Sequence, residues 1–126
     1  MDFKYIQTVN APRAVGPYSQ AVKAGSLLFV SGQLPIDPAT GEMVSGDAAA
    51  QAEQCMRNVL AILEAEKLTA DNIVRATIYL QDMNDFSRVN EVYAAFFEGK
   101  YPARVCVEVS RLPKEAAVEI DAVAGC

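Results

Sequence analysis

The chain has 126 residues, 52% of them hydrophobic and 21% charged, which is room and composition for one globular domain spanning residues 1–126. Its formal net charge of −5 weighs against nucleic acid as a partner, because phosphate binding needs clustered Lys and Arg and none occurs here. No histidine is present, which excludes Ser-His-Asp and Cys-His catalysis and the HExxH metal motif. Three cysteines (Cys55, Cys106 and Cys126) lie far apart, with no CxxC pair, so neither a zinc site nor a disulfide framework is expected. The seven glycines form neither a dinucleotide fingerprint nor a P-loop. The N-terminal residues lack the apolar centre of a signal peptide, and no apolar run approaches about 18 residues. The expectation is a cytoplasmic protein with no membrane association, metal or cofactor. Any general acid or base must then be a carboxylate, Lys, Tyr, Cys or bound water.

In chain order, residues 4–7 read as a short strand. Residues 21–24 and 27–30 flank Gly25-Ser26, the signature of a two-residue hairpin. Residues 31–46, rich in Gly and Pro, read as an ordered loop. Asp47 is a good N-cap for a helix running to about Lys67. Its apolar positions Ala52, Cys55, Met56, Val59, Leu60 and Leu63 make one core-facing stripe. Residues 73–80 alternate and carry β-branched and aromatic side chains, as a strand does. A second helix is predicted over residues 85–98, with Phe86, Val89, Tyr93, Phe96 and Phe97 on its packed side and Gly99 as its C′ residue. Residues 105–110 and 117–124 complete the set as two strands. The order β-β-β-α-β-α-β-β predicts an α/β sandwich, with two helices on one face of a sheet.

Alternation along the strands sets Val105, Val107 and Val109 opposite Arg104, Cys106 and Glu108. It likewise sets Val74, Ile78 and Leu80 opposite Arg75, Thr77 and Tyr79, and Val118, Ile120 and Ala122 opposite Glu119 and Asp121. Each strand is expected to turn its apolar face to the helices. The other, polar and partly aromatic face is either solvated or packed against further subunits with a site between them.

Several residues invite a chemical reading. Arg104, after Pro102-Ala103, offers a planar fork for a carboxylate; the structural alternative is an ion pair with Glu108 or Glu119. Glu119, between Val118 and Ile120, gains general acid or base character if burial raises its pKa, and is otherwise a solvated glutamate. Cys106 has no histidine to activate it and reads as a small packed residue rather than a nucleophile. Tyr18, in Gly16-Pro17-Tyr18-Ser19, follows a rigid turn and either projects over a pocket or packs within its loop. Ser31-Gly32 ends the predicted third strand, either presenting backbone N–H groups to a ligand or making a plain turn.

The segments Gly16-Pro17-Tyr18-Ser19-Gln20-Ala21, Val30-Ser31-Gly32-Gln33-Leu34-Pro35, Val89-Asn90-Glu91-Val92-Tyr93 and Pro102-Ala103-Arg104-Val105-Cys106-Val107-Glu108-Val109 resemble the RidA (YjgF) family of reactive intermediate deaminases. Leu112-Pro113 and Val118-Glu119-Ile120 continue the resemblance, which runs from about Asn10 to Ala124 with the motifs in one order. It implies a chorismate-mutase-like α+β fold, a homotrimer and clefts between neighbouring subunits. It also implies hydrolysis of small enamines and imines, such as 2-aminoacrylate and 2-aminocrotonate, to 2-keto acids and ammonia. Carried onto this chain, Arg104 would hold the substrate carboxylate and Glu119 would place and activate water. Tyr18, Ser31, Gly32, Asn90 and the backbone near Cys106 would line the pocket. Two departures bear on substrate range: the chain has no basic tail after Gly125-Cys126, and Val105 stands where relatives often carry a polar residue.

Two other functions compete. A non-catalytic binder of 2-keto acids would need Arg104 but hardly Glu119. A ribonuclease or translation inhibitor, suggested for some relatives, sits poorly with an acidic chain that lacks histidine.

Overall fold

Strand pairing organises this molecule, described here over residues 2–126 in a computed structural model. Strands β1 (Phe3–Ile6), β2 (Ala21–Ala24) and β3 (Leu27–Gln33) form an antiparallel meander. The segment read as a loop over residues 31–46 contains a short antiparallel pair, β4 (Ile36–Asp37) with β5 (Glu42–Met43), before helix α1 (Ala48–Glu64). Then come β6 (Ile73–Leu80), helix α2 (Phe86–Ala94), β7 (Ala103–Glu108) and β8 (Val118–Gly125). The main sheet has six strands in the order β1-β2-β3-β8-β6-β7, and only β6 and β7 are parallel. The fold is the expected mixed α+β sheet, with α1 and α2 packed on one face.

Local chemistry explains the helices. The Asp47 carboxylate accepts the Ala50 N–H at 3.0 Å, satisfying one of the free donors at the start of α1. The helix stops at Glu64, earlier than its pattern suggested, in a turn where Lys67 takes a left-handed conformation (φ 60°). Ala52, Cys55, Met56, Val59 and Leu63 are fully buried as expected; Ile62 joins them, while Leu60 is only half-buried. Full burial of an aliphatic side chain such as Ile62 contributes about 1.5–3 kcal/mol. Asn58 is buried among these apolar residues because its amide donates to the carbonyls of Leu34 (3.0 Å) and Ile36 (2.9 Å). That amide fastens the start of the Gly- and Pro-rich connection to α1. Helix α2 is shorter than the predicted 85–98: a 3-10 turn (Met83–Asp85) precedes it, and the chain leaves helical geometry after Ala95.

The strands correct three expectations. The third strand does not end at residue 30 but runs through Gln33, and its register with β8 shifts between Val30 and Gln33. Ser31 and Gly32 therefore form a bulge rather than a strand end. A second irregularity, between Ile73 and Arg75, turns Val74 to the outside, where it is 49% exposed. The third correction concerns β7. Arg104 pairs with Ala76 and Cys106 with Ile78, so both stand on the helix-bearing face, while Val105 and Val107 stand on the open one. This reverses the expectation that every strand turns its apolar residues to the helices. β7 is the sheet's edge, where Arg104 meets Phe86, Asn90 and Tyr93 of α2 while Val105 and Val107 face the other way.

The open face is also more apolar than alternation alone implied. Phe3, Tyr5, Leu27, Phe29, Val74, Val105 and Val107 are all exposed. Strand pairing sets Phe3 and Tyr5 across from Ala24 and Val22, Leu27 and Phe29 with them, and Val105 and Val107 across from Thr77 and Tyr79. Large apolar side chains gathered on one face of a sheet are more than a solvated face needs.

Candidate active site

Two clusters carry the polar groups singled out by the sequence, one on each face of the sheet. On the helix side, Arg104 projects from β7 toward α2. Its guanidinium donates to the Asn90 Oδ1 at 2.5 Å and lies 5.5 Å and 5.4 Å from the ring centroids of Phe86 and Tyr93. Phe86, Asn90 and Tyr93 are spaced i, i+4, i+7, which puts them on one stripe of α2 above the strand. Two aromatic faces attract the cation and one amide fixes its edge. Neither Glu108 nor Glu119 pairs with it, and among the described residues Arg104 forms no ion pair. Glu108 instead accepts the Met83 N–H at 2.8 Å, closing the turn before α2. The positive charge thus stays available to an anion.

A cleft of about 430 Å³ opens at this point, lined by Asn90, Tyr93, Ala94, Tyr101, Pro102 and Arg104. Cys106 lies two residues further along the same face, half-buried and packed against the core. Burial raises its thiol pKa above the ordinary value, and the Arg104 charge offsets this only in part. That makes a poor nucleophile, as the absence of a histidine suggested.

The second cluster lies on the open face. Glu119 projects from β8 there, half-buried, because its neighbours Val118 and Ile120 point into the core. Its carboxyl pKa is raised, first by burial and then by the like charge of Asp121 two residues on. Asp121 is held by the Tyr79 hydroxyl, which donates to its Oδ2 at 3.0 Å. Gly32, on the β3 bulge, leaves the space that the Glu119 carboxylate fills; a Cβ there would collide with it. The neighbouring Ser31 has its polar groups engaged: its N–H donates to the Gln20 carbonyl at 3.0 Å, and its hydroxyl to the Ser19 carbonyl at 2.6 Å. Ser31 therefore presents no free N–H, contrary to the reading of an open strand end. Tyr18, one residue from Ser19, is 50% exposed and lines a larger hollow of about 730 Å³ with Arg13 and Lys114. That hollow contains neither Arg104 nor Glu119; the smaller cleft holds Arg104, whose guanidinium is fixed by Asn90 and two aromatic rings, and is the candidate site for an anion.

The structure thus brings Arg104 together with Asn90, and Glu119 with Gly32, but it keeps the two groups on opposite faces of one sheet. Sequence reasoning missed Phe86 and Tyr93 as neighbours of the cation because both looked like plain core residues. Their i, i+7 spacing around Asn90 was the available signal.

A six-stranded mixed sheet with two helices on one face, an exposed apolar opposite face and a cation held under the second helix define an α+β domain of the chorismate-mutase-like kind. Residues 8–126 match the family model described as endoribonuclease L-PSP. A RutC family protein of Pyrococcus horikoshii is 56% identical over 119 residues, covering 94% of each chain. The 2-iminobutanoate/2-iminopropanoate deaminase of Escherichia coli K12 is 51% identical over 124 residues, covering 96% of each. The crystal structure of E. coli TdcF with bound serine superposes with a TM-score of 0.93 at 45% identity, covering 98% of both chains. The chain belongs to the RidA (YjgF) family, whose model carries the L-PSP description.

Proposed function

We propose that this protein hydrolyses small enamine-derived imines of carboxylic acids to 2-keto acids and ammonia, as a homotrimer with its sites between subunits. The observation that carries the reading is the separation of Arg104 from Glu119 across one sheet, with an exposed apolar surface beside the second. A neighbouring copy seated on that surface would bring its own Arg104 cleft toward Glu119, and neither half is complete alone. The relative named 2-iminobutanoate/2-iminopropanoate deaminase supports the reaction class, and the serine-bound TdcF supports a small ligand of amino-acid size.

The chemistry then follows from the residues. Arg104 grips the substrate carboxylate through its fork, with Asn90 holding the guanidinium edge. The enamine takes a proton on carbon and becomes an iminium, whose C=N carbon is electrophilic. Glu119 accepts a proton from water as the oxygen bonds to that carbon. It returns that proton to nitrogen, ammonia leaves as the C–N bond breaks, and the hydroxyl gives its proton to the freed Glu119 carboxylate as the C=O bond of the keto acid forms. Gly32 allows the carboxylate its place, Tyr18 and Ser31 shape the same side, and the backbone near Cys106 lines the other. The steps need orientation and proton transfer, which a carboxylate and ordered water supply without cofactor or covalent intermediate. A binder of 2-keto acids would have no use for a glutamate whose pKa is raised, so Glu119 favours hydrolysis.

Two inactive variants test the assembly and the chemistry together. With 2-aminoacrylate generated by a dehydratase, wild-type protein should speed keto-acid release, while Arg104→Lys and Glu119→Gln should each be nearly inert. Unfolding the two variants together and refolding them as mixed trimers should restore about a quarter of the wild-type rate, because some sites then receive both intact halves from different copies. No recovery, with trimers seen by light scattering, would mean that both residues serve one site within one chain.

A further inference from the structure

Tyr93 is the residue of the Arg104 cleft whose chemistry is not used up by the fold. It is only 3% exposed, its ring packs 5.0 Å from that of Phe97, and its face lies under the Arg104 guanidinium. Its hydroxyl is nevertheless the one buried side-chain polar atom without a hydrogen-bond partner among the described residues. The fold satisfies its other buried polar side chains with care. Asn58 reaches two carbonyls, Gln20 reaches those of Thr8 and Pro12, and Gln33 reaches that of Ser31. A buried hydroxyl left unpaired costs roughly 1–3 kcal/mol, and a phenylalanine of the same shape would avoid that cost. A tyrosine that lines a cleft and carries such an atom is suited to a ligand that supplies the missing partner.

We propose that Tyr93 is a substrate-contacting residue whose hydroxyl donates a hydrogen bond to the carboxylate held by Arg104. This rests on the reading of the cleft as the carboxylate-binding half of the site. The anion is shared between a fork that carries charge and a neutral donor beside it, so its plane is fixed by two groups on different elements, β7 and α2. Burial also raises the phenol pKa, outweighing the opposing pull of Arg104, so the group remains a donor throughout the neutral range. The orphaned hydroxyl further predicts an opposition between stability and binding: deleting it should relieve the empty protein and handicap the occupied one.

Tyr93→Phe separates these effects. The probe is 2-oxobutanoate, the keto acid that 2-iminobutanoate yields, titrated calorimetrically into wild-type and variant trimers, with thermal unfolding of both recorded without ligand. The variant should keep or raise the unfolding midpoint while binding the probe about ten- to a hundredfold more weakly, the range for a hydrogen bond to a charged group. Wild-type affinity retained in the variant would overturn the proposal while leaving the Arg104 reading intact. A variant midpoint lower by more than a few degrees would also overturn it, since the hydroxyl would then serve the fold. Failure of the wild-type protein to bind the probe would instead remove the carboxylate-site reading, and this proposal with it.

Discussion

The two faces of the central sheet treat charge in opposite ways. On the helix side, Arg104 is surrounded by groups that favour its charge without cancelling it: two aromatic rings and an amide oxygen. On the open side, Glu119 sits beside Asp121 in a half-buried position, which disfavours its charge. One region leaves a cation unpaired among the described residues; the other holds a carboxyl whose pKa is raised by burial and by Asp121. The difference teaches that one sheet can hold a cation and a carboxylate in opposed environments, which is what the proposed intersubunit site requires of its two halves.

The sharpest break in this comparison is Glu119→Gln. The amide keeps size and polarity but accepts no proton from water, so turnover should fall by about a hundred- to ten-thousandfold, the usual worth of a positioned general base. Binding of 2-oxobutanoate by the same variant should stay near wild type, because the carboxylate is held on the other side. Weakened binding, measured by calorimetry, would mean that the two regions do not divide the work in this way.

Arg104→Lys addresses the other region. A lysine keeps the charge but loses the fork and most of the contact with Phe86 and Tyr93. Loss of a charge-assisted pair should weaken probe binding about ten- to a hundredfold, with kcat/KM falling at least as far. A variant binding as tightly as wild type would show that a point charge suffices.

The smallest effect sharpens the open side alone. As a general base Glu119 must be ionised, and its raised pKa places the acidic limb of kcat/KM above the ordinary carboxylate range. Removing the like charge with Asp121→Asn should move that limb to lower pH. The shift should stop short of an unperturbed glutamate, because burial is the larger cause and remains. An unmoved pH profile would show that Asp121, held by Tyr79, does not act on Glu119.

The sequence by itself determined the order of the main-sheet strands and the two helices, though not the short β4–β5 pair, as well as the stripe of α1 that enters the core and the absence of a histidine from any mechanism. These follow from periodicity and residue chemistry, which are local properties of the chain. Its motifs also carried the family and singled out Arg104 and Glu119. Only the tertiary structure decided which face each residue occupies. The bulge at Ser31-Gly32 makes room for Glu119, the one at Val74 turns an apolar residue outward, and the parallel edge pairing of β7 puts Arg104 under α2. Alternation has two equivalent phases, so it separates the faces of a strand without saying which one is inward. Long-range pairing chooses the phase, one extra residue in a bulge reverses it, and neither leaves a mark in the local pattern. The same holds for Tyr93: its spacing made it a core residue, and only the packed fold left its hydroxyl without a partner beside the cation.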